Sequence, residues 1–201
     1  HLPNLTSFVH ENSIWIGVDR GVFHLLNRGI IPVKAFGDFD SISSSEFKWI
    51  QSKLQQIDSF PYEKDETDME IAINWAISQK PLKINVFGGT GGRLDHMFGN
   101  IQLLLKGLDE DVEMRLIDKQ NRITLKKPGT YQVNKSKEFT YISFLAISAE
   151  VRSVTLTGFK YPLNNCHIKR GSTLCISNEL INEMGTFSFT NGILMMVRSR
   201  D

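Results

Sequence analysis

Cysteine is scarce in this chain, and neither sign of charge is in excess. Its 201 residues include only two cysteines, Cys166 and Cys175, and carry 23 lysines and arginines against 22 aspartates and glutamates. A chain of this length buries a hydrophobic core without cross-links, so we expect reduced thiols, as in a cytoplasmic protein. The balanced charge and the absence of a basic stripe argue against binding to nucleic acid or to an anionic membrane.

Long hydrophobic runs are also missing. No stretch approaches the roughly 18 apolar residues of a membrane-spanning helix, and the first residues do not resemble a secretory signal. The composition, 41% hydrophobic and 22% charged, is typical of a globular protein. The chain begins at His1 rather than at Met, so we expect the native protein to have further N-terminal residues.

Strand-like and helix-like segments alternate as far as Gly107, and this alternation predicts a Rossmann-like α/β domain with a parallel sheet. Beyond Gly107 the pattern changes to eight short strand-like runs separated by turn residues, which predicts an antiparallel β-sandwich or jelly roll. These runs are 113–117, 122–125, 130–133, 140–147, 151–156, 172–176, 186–189 and 193–198. We place the α/β domain at residues 1–112 and the β-sandwich at 113–201.

Two carboxylates, Asp38 and Asp40, alternate with Phe39 after an apolar run that ends in Gly37. If the strand continues through them, both acids lie on one face, roughly 7 Å apart. Such a pair repels itself unless a cation lies nearby, and hard carboxylate oxygens suit Mg²⁺. The alternative is a polar turn after an edge strand, and this stretch alone does not decide between the two.

A helix start is predicted at Thr67, because Thr67 and Glu70 fit the N-cap and N3 positions of a capping box. Asp68 then occupies the first helical position, where the helix dipole favours an anion. Asp65 and Asp68 therefore have a structural explanation as well as a functional one.

A glycine-rich loop, residues 88–92, lies between a predicted strand at 83–87 and a predicted helix that continues to about Lys106. This arrangement suits phosphate binding by backbone N–H groups at a helix N-terminus. The loop fits neither the P-loop nor the dinucleotide-binding pattern. Close approach of the backbone to a ligand is the favoured explanation for its four glycines, and a mobile loop is the alternative.

The acidic residues and the loop follow predicted strand ends, and ligands of α/β sheets bind at the carboxyl ends of the strands. Asp19 follows one strand, Asp38 and Asp40 follow another, and Arg93 and Asp95 follow the glycine-rich loop. Carboxylates that hold a metal, an arginine and a phosphate-binding loop together indicate phosphoryl transfer from a nucleotide.

Three motifs in this order and spacing resemble the thiamine pyrophosphokinase family. They are the segments 37–41 (GDFDS), 64–70 (KDETDME) and 88–96 (GGTGGRLDH). Two C-terminal segments, 158–163 (GFKYPL) and 176–179 (ISNE), are similar to it as well. The resemblance implies transfer of the pyrophosphoryl group of ATP to the hydroxyethyl oxygen of thiamine, with Mg²⁺, in a homodimer whose thiamine site lies between the subunits.

The resemblance also implies roles for individual residues. Asp38, Asp40 and Asp68 bind or neighbour Mg²⁺, with Asp19 as a further candidate, and Arg93 and Asp95 line the reaction centre. The expected phosphate contacts are Lys64, Thr67, Gly89, Thr90, Gly91 and Gly92. Ser177 and Asn178 are expected to contact thiamine. We expect Asp95 to orient or deprotonate the alcohol of thiamine.

Two other functions fit the same acidic residues. One is a nucleotide hydrolase that uses water as the acceptor, and the other is a nucleotide- or metal-binding regulator without catalysis. The family also usually begins with a further strand, for which only residues 1–4 are present here.

Overall fold

The computed structural model describes residues 1–40, 42–54, 58–59 and 65–201. The chain divides into two compact units, one formed by Leu2–Pro81 and the other by His1 with Leu82–Asp201. No helix within the described ranges is both long enough and apolar enough to cross a membrane.

The first unit contains a parallel three-stranded sheet in the order β1-β2-β3. Its strands are β1 (Ile16–Val18), β2 (Lys34–Gly37) and β3 (Asp58–Ser59), and its helices are α1 (Arg20–Leu26), α2 (Ser44–Lys53) and α3 (Asp68–Ser78); a 3-10 helix, Leu5–Phe8, precedes them. Val22, Ala35, Phe39 and Ile50 form the buried core. The predicted N-cap is confirmed, because the Thr67 hydroxyl accepts the Glu70 N–H at 3.2 Å.

The second unit contains two sheets, in the orders β4-β5-β6-β12-β8 and β10-β9-β11-β7. One α-helix, α4 (Leu94–Asp109), connects β4 to β5, and these two strands are parallel. The strands are β4 (Lys83–Phe87), β5 (Glu113–Ile117), β6 (Asn121–Lys126), β7 (Gly129–Asn134), β8 (Tyr141–Ala146), β9 (Glu150–Thr157), β10 (Leu163–Lys169), β11 (Met184–Phe189) and β12 (Leu194–Ser199). Buried side chains from both sheets, including Phe144, Phe187 and Leu194, form one core.

The predicted fold class is confirmed, with a parallel α/β part followed by a β-rich part. One detail differs from the expectation of a single parallel sheet before Gly107, because β4 lies beside β5 in the five-stranded sheet. The boundary between the compact units therefore falls between Pro81 and Leu82. The predicted domain boundary at 112/113 stays a prediction.

Two strand assignments were wrong. The predicted strand at 172–176 consists mainly of turns, and only isolated bonds, such as that from the Phe144 N–H to the Cys175 carbonyl at 3.0 Å, connect it to β8. Conversely, β10 was missed because Asn164 and Asn165 suggest a turn. Asn165 does have a positive φ of 51°, but it lies within β10, where the register with β9 shifts. Cys166 and Cys175 are free thiols.

Candidate active site

Asp19 follows β1 directly, in a backbone conformation that is rare for a residue with a side chain. Its φ is 46° and its ψ is −124°, and it occupies the N-cap position of α1 without a side-chain capping bond. Its N–H donates to the Phe36 carbonyl at 2.8 Å, which fixes it against β2. Such strained backbone costs on the order of 1–3 kcal/mol and is concentrated at functional sites.

Gly37 permits the carboxylate of Asp19 to lie where it does. A Cβ atom at position 37 would collide with Asp19 Oδ1, and the φ of Gly37 is 139°. Asp19 Oδ1 is buried and has no hydrogen-bond partner among the described residues. A buried carboxylate oxygen without a partner is costly, and its position suits the binding of a cation.

Asp38 and Asp40 do not continue the strand, so the expectation that they share one strand face was wrong. The strand β2 ends at Gly37, and Phe39 has a φ of 61°. The Asp40 N–H donates to Asp38 Oδ1 at 3.0 Å, which closes a turn. Phe39 needs this turn to reach the core, where its ring lies 5.4 Å from that of Phe47.

The turn at residues 38–40 brings Asp38 close to two other carboxylates. Asp19, Asp38 and Asp68 each offer an oxygen, and these three oxygens lie within 4.8 Å of one another. We call these three residues the aspartate cluster. Asp68 comes from the first turn of α3 and Asp19 from the start of α1, so the cluster joins two helix starts to the end of β2.

The cluster is electrostatically unfavourable without a cation. Burial, and then the charges of Asp68 and Asp38, raise the pKa of Asp19 to about 6, although the Phe39 N–H opposes this shift. Asp40 is exposed and is not a member of the cluster, but its charge contributes to the raised pKa of Asp19. Like charges that are held together in this way are typical of a cation site.

The glycine-rich loop follows β4 and precedes α4, as expected. The φ of Gly92 is 82°, and a Cβ atom on Gly89 would lie only 2.8 Å from Leu116 Cδ1 and 2.9 Å from Asn100 Nδ2. Packing within the chain therefore explains part of the glycine content, because Asn100 Nδ2 also donates to the Gly89 carbonyl at 3.0 Å. The Thr90 hydroxyl is buried and has no hydrogen-bond partner in the described part of the chain.

Arg93 and Asp95 form a bidentate ion pair at the start of α4. Arg93 Nη2 lies 2.6 Å from Asp95 Oδ2, and Arg93 Nε donates to Asp95 Oδ1 at 3.1 Å. Both side chains are exposed, at 74% and 63% respectively. The hydrogen bonds from Arg93, and then the N–H of His96, lower the pKa of Asp95 to about 2.

The remaining predicted residues are distributed as follows. Thr67 caps α3 and is exposed, and Gly91 lies beside the ring of His1. Lys64 lies outside the described residues. Ser177 is exposed, has a φ of 55°, and donates its N–H to the Ser143 hydroxyl at 3.0 Å.

Asn178 is almost completely buried, at 1% exposure. Its amide oxygen accepts the N–H groups of Tyr161 at 3.0 Å and Glu179 at 2.9 Å, and its Nδ2 donates to the Tyr161 carbonyl at 2.8 Å. These bonds join the two C-terminal motifs, 158–163 and 176–179. The side chain of Asn178 therefore has a positioning role in this structure.

Sequence reasoning underestimated Asp19, which the structure places in the aspartate cluster. The available signal was its position directly after a buried strand, opposite the end of the next strand. Its strained backbone and its contact with Gly37 have no signature in the sequence.

Comparisons with known proteins agree with this geometry. Residues 5–116 match the family model described as "Thiamin pyrophosphokinase, catalytic domain", and residues 130–194 match "Thiamin pyrophosphokinase, vitamin B1 binding domain". The chain is 54% identical to the thiamine pyrophosphokinase of Bacillus subtilis over 200 residues, which cover 100% of this chain and 94% of that protein.

Solved structures give the same result. A thiamine pyrophosphokinase from Bacillus subtilis superimposes with a TM-score of 0.96 at 54% identity, covering 100% of this chain and 94% of the other. A thiamin pyrophosphokinase from Geobacillus thermodenitrificans has a TM-score of 0.92 at 53% identity, with coverages of 100% and 92%. The fold is shared with the enzyme from Candida albicans, at a TM-score of 0.79 and 20% identity, with coverages of 100% and 86%. The chain therefore belongs to the thiamine pyrophosphokinase family of enzymes.

Proposed function

We propose that the chain transfers the pyrophosphoryl group of ATP to the hydroxyethyl oxygen of thiamine, with Mg²⁺, and releases AMP and thiamine diphosphate. The aspartate cluster is the observation that carries this proposal. Three carboxylate oxygens within 4.8 Å of one another, with Asp19 Oδ1 buried and without a partner among the described residues, fit the oxygen ligands that Mg²⁺ prefers.

The proposed roles follow from charge. Asp19, Asp38 and Asp68 would hold the cation, and Asp40 would add negative charge beside them. A bound Mg²⁺ neutralises the phosphate oxygens during transfer. The buried, unpartnered hydroxyl of Thr90 and the backbone of Gly89, Gly91 and Gly92 would contact phosphate, as would Lys64 and Thr67.

Arg93 and Asp95 would act at the reacting groups. With a pKa of about 2, Asp95 is a weak base at neutral pH, so we assign it the role of orienting the thiamine alcohol rather than removing its proton. In a loose transition state deprotonation comes late, so a strong base is unnecessary. The planar guanidinium of Arg93 can donate to two phosphate oxygens at once, if it exchanges Asp95 for the phosphate.

Thiamine binding is assigned to the exposed Ser177, which Asn178 positions. We also propose a homodimer in which thiamine binds between subunits. Large apolar side chains close to Ser177 in the sequence support this, since they are exposed: Leu174 (60%), Ile176 (42%), Ile181 (62%) and Met184 (47%). Large exposed apolar side chains are candidates for burial at a protein interface. The two free thiols are consistent with a cytoplasmic location.

The test is AMP formation from MgATP with and without thiamine, together with quantification of thiamine diphosphate. The proposal predicts AMP and thiamine diphosphate in equal amounts, and only when thiamine is present. Equal AMP formation without thiamine would indicate a hydrolase. Nucleotide binding without any AMP would indicate a regulator.

A further inference from the structure

The second unit contains a small polar cavity with residues of the segment between β7 and β8, residues 179–180 and β12 in its wall. Its volume is about 130 Å³, and Lys135, Ser136, Thr140, Glu179 and Arg198 provide its polar lining. This volume is well below the roughly 300 Å³ of typical small-molecule pockets, so it suits an ion rather than a metabolite. None of the residues assigned above to nucleotide, metal or thiamine lines it.

One arginine in the cavity wall, Arg198, has a second arginine beside it in the sheet. Arg198 on β12 is directly opposite Arg122 on β6 in the antiparallel register. Side chains paired in this way have Cβ atoms about 5 Å apart, and like charges at such positions destabilise a sheet. Burial is the larger cause of the lowered pKa of both guanidinium groups, and a like charge adds to it: that of Arg115 at Arg122, and that of Arg122 at Arg198.

Neither guanidinium is fully satisfied. The Nε atoms of Arg122 and Arg198 are both buried, and neither has a hydrogen-bond partner among the residues that the structure describes. The same holds for the hydroxyl of Thr124, two residues further along β6. Arg198 Nη2 donates to the Asn134 carbonyl at 2.9 Å, and Arg122 lies over the ring of Phe139. Buried donors without acceptors cost free energy unless a ligand or ordered water satisfies them.

The nearby carboxylates compensate the arginines only in part. Glu179 is already paired with Lys160 at 2.8 Å. Glu138 reaches Arg122 only at 3.7 Å, and its side chain is 70% exposed. Lys135 is a further cation in the wall, and the Ser136 hydroxyl accepts the Glu138 N–H, which leaves its own O–H free to donate. The cavity is therefore rich in donors and carries net positive charge.

We propose that this cavity binds a phosphate-type oxyanion, with Arg198, Lys135 and Ser136 as the donors that contact it. A tetrahedral oxyanion offers several acceptor oxygens, and arginine is well suited to bind two of them at once. Arg122 does not line the cavity, but it adds positive charge beside Arg198 from the neighbouring strand. The proposal concerns a site separate from the transfer reaction and does not depend on it.

The experiment is isothermal titration of the native protein with inorganic phosphate at constant ionic strength, without nucleotide. Phosphate can also bind at the glycine-rich loop, so the cavity is isolated by comparing two variants of the same segment. Lys135→Met removes a cation from the cavity wall, and Lys137→Met removes a cation that is also exposed but does not line the cavity. We expect Lys135→Met to weaken one phosphate site about fivefold or more, and Lys137→Met to leave it unchanged.

A third variant is expected to strengthen phosphate binding rather than weaken it. Glu138→Gln removes the carboxylate nearest to Arg122, and we expect phosphate to bind about two- to fivefold more tightly. Equal affinities for the wild type and all three variants, or equal losses for the two lysine variants, would overturn the proposal.

Titration with glycerol phosphate and with acetate identifies the ligand further. Tighter binding of inorganic phosphate indicates the free ion, whereas tighter binding of glycerol phosphate indicates the phosphoryl end of a larger molecule. Acetate binding as tight as that of either would overturn the assignment to phosphate-type anions.

Discussion

Asp19 and Asp95 are both aspartates at the start of a helix that follows a parallel strand, yet their pKa values move in opposite directions. Asp19 is surrounded by other carboxylates and partly buried, and its pKa rises to about 6. Asp95 is exposed and paired with Arg93, and its pKa falls to about 2. The difference shows that residue type and local element do not set the role. The neighbouring charges set it, because one carboxylate still lacks a cation and the other already has one.

The largest expected effect is at the aspartate cluster. Asp68→Asn should reduce thiamine diphosphate formation by a factor on the order of 10²–10⁴, because a metal ligand is worth several kcal/mol in the transition state. Asp109→Asn, an exposed aspartate at the end of α4, is the matched control and should retain full activity. Wild-type activity in Asp68→Asn would exclude this residue from metal binding.

A smaller effect is expected at the ion pair of Arg93 and Asp95. Asp95→Asn should leave ATP binding nearly intact and reduce turnover by about 10², the lower end of the range for general acid–base groups, because Asp95 orients the alcohol and does not take its proton. Arg93→Lys should also be damaging, because lysine lacks the planar fork. Turnover and nucleotide affinity, measured separately on each variant, test this. A loss of ATP binding equal to the loss of turnover would refute the orienting role of Asp95.

Gly37→Ala tests whether the position of Asp19 depends on the absence of a side chain at residue 37. The new methyl group would meet Asp19 Oδ1, and the φ of 139° is unfavourable for alanine. We expect a loss of about 1–3 kcal/mol in the free energy of unfolding, measured by urea denaturation, together with weaker Mg²⁺ binding. Gly21→Ala is the control, because a Cβ atom there meets nothing within 4 Å. Equal stability of the two variants would contradict the proposed contact.

The smallest effect is the pH dependence of stability without Mg²⁺. The pKa of Asp19 is about 6 in the folded state, against 3.8 for an unperturbed aspartate. Between these two pH values the folded state therefore binds a proton at Asp19 that the unfolded state does not. Its contribution to stability is therefore largest below about pH 4 and is lost as the pH rises through 6. Asp19→Asn should be about 1–2 kcal/mol more stable than wild type at pH 8, after allowance for solvent screening, and no more stable at pH 4. A constant difference across this range would show that Asp19 does not titrate as described.

Local chemistry could be predicted from the sequence because it depends on neighbouring residues. Features of this kind are the N-cap at Thr67, the strand, loop and helix around the glycine-rich segment, and the motif residues. The strand that pairs with β4 could not be predicted, because nothing in a strand of five residues indicates which sheet the strand joins. The aspartate cluster could be predicted only in part, since the turn at Phe39, with its positive φ, determines which carboxylate meets Asp19.

The arginine pair at the small cavity was missed for a related reason. Arg122 and Arg198 are 76 residues apart and become neighbours only through the register of β6 and β12. Each looks like an ordinary surface residue of an alternating strand when it is read alone. Their pairing is information that the fold adds.

The most direct test of the comparison is a carbon-13 NMR titration of the aspartate carboxyl groups, first in EDTA and then with Mg²⁺. Asp19→Asn and Asp95→Asn would assign the two signals. We expect Asp19 to titrate near 6 without metal and well below that with Mg²⁺, whereas Asp95 stays near 2 in both. A titration of Asp19 that Mg²⁺ does not change would contradict the claim that the aspartate cluster is the cation site.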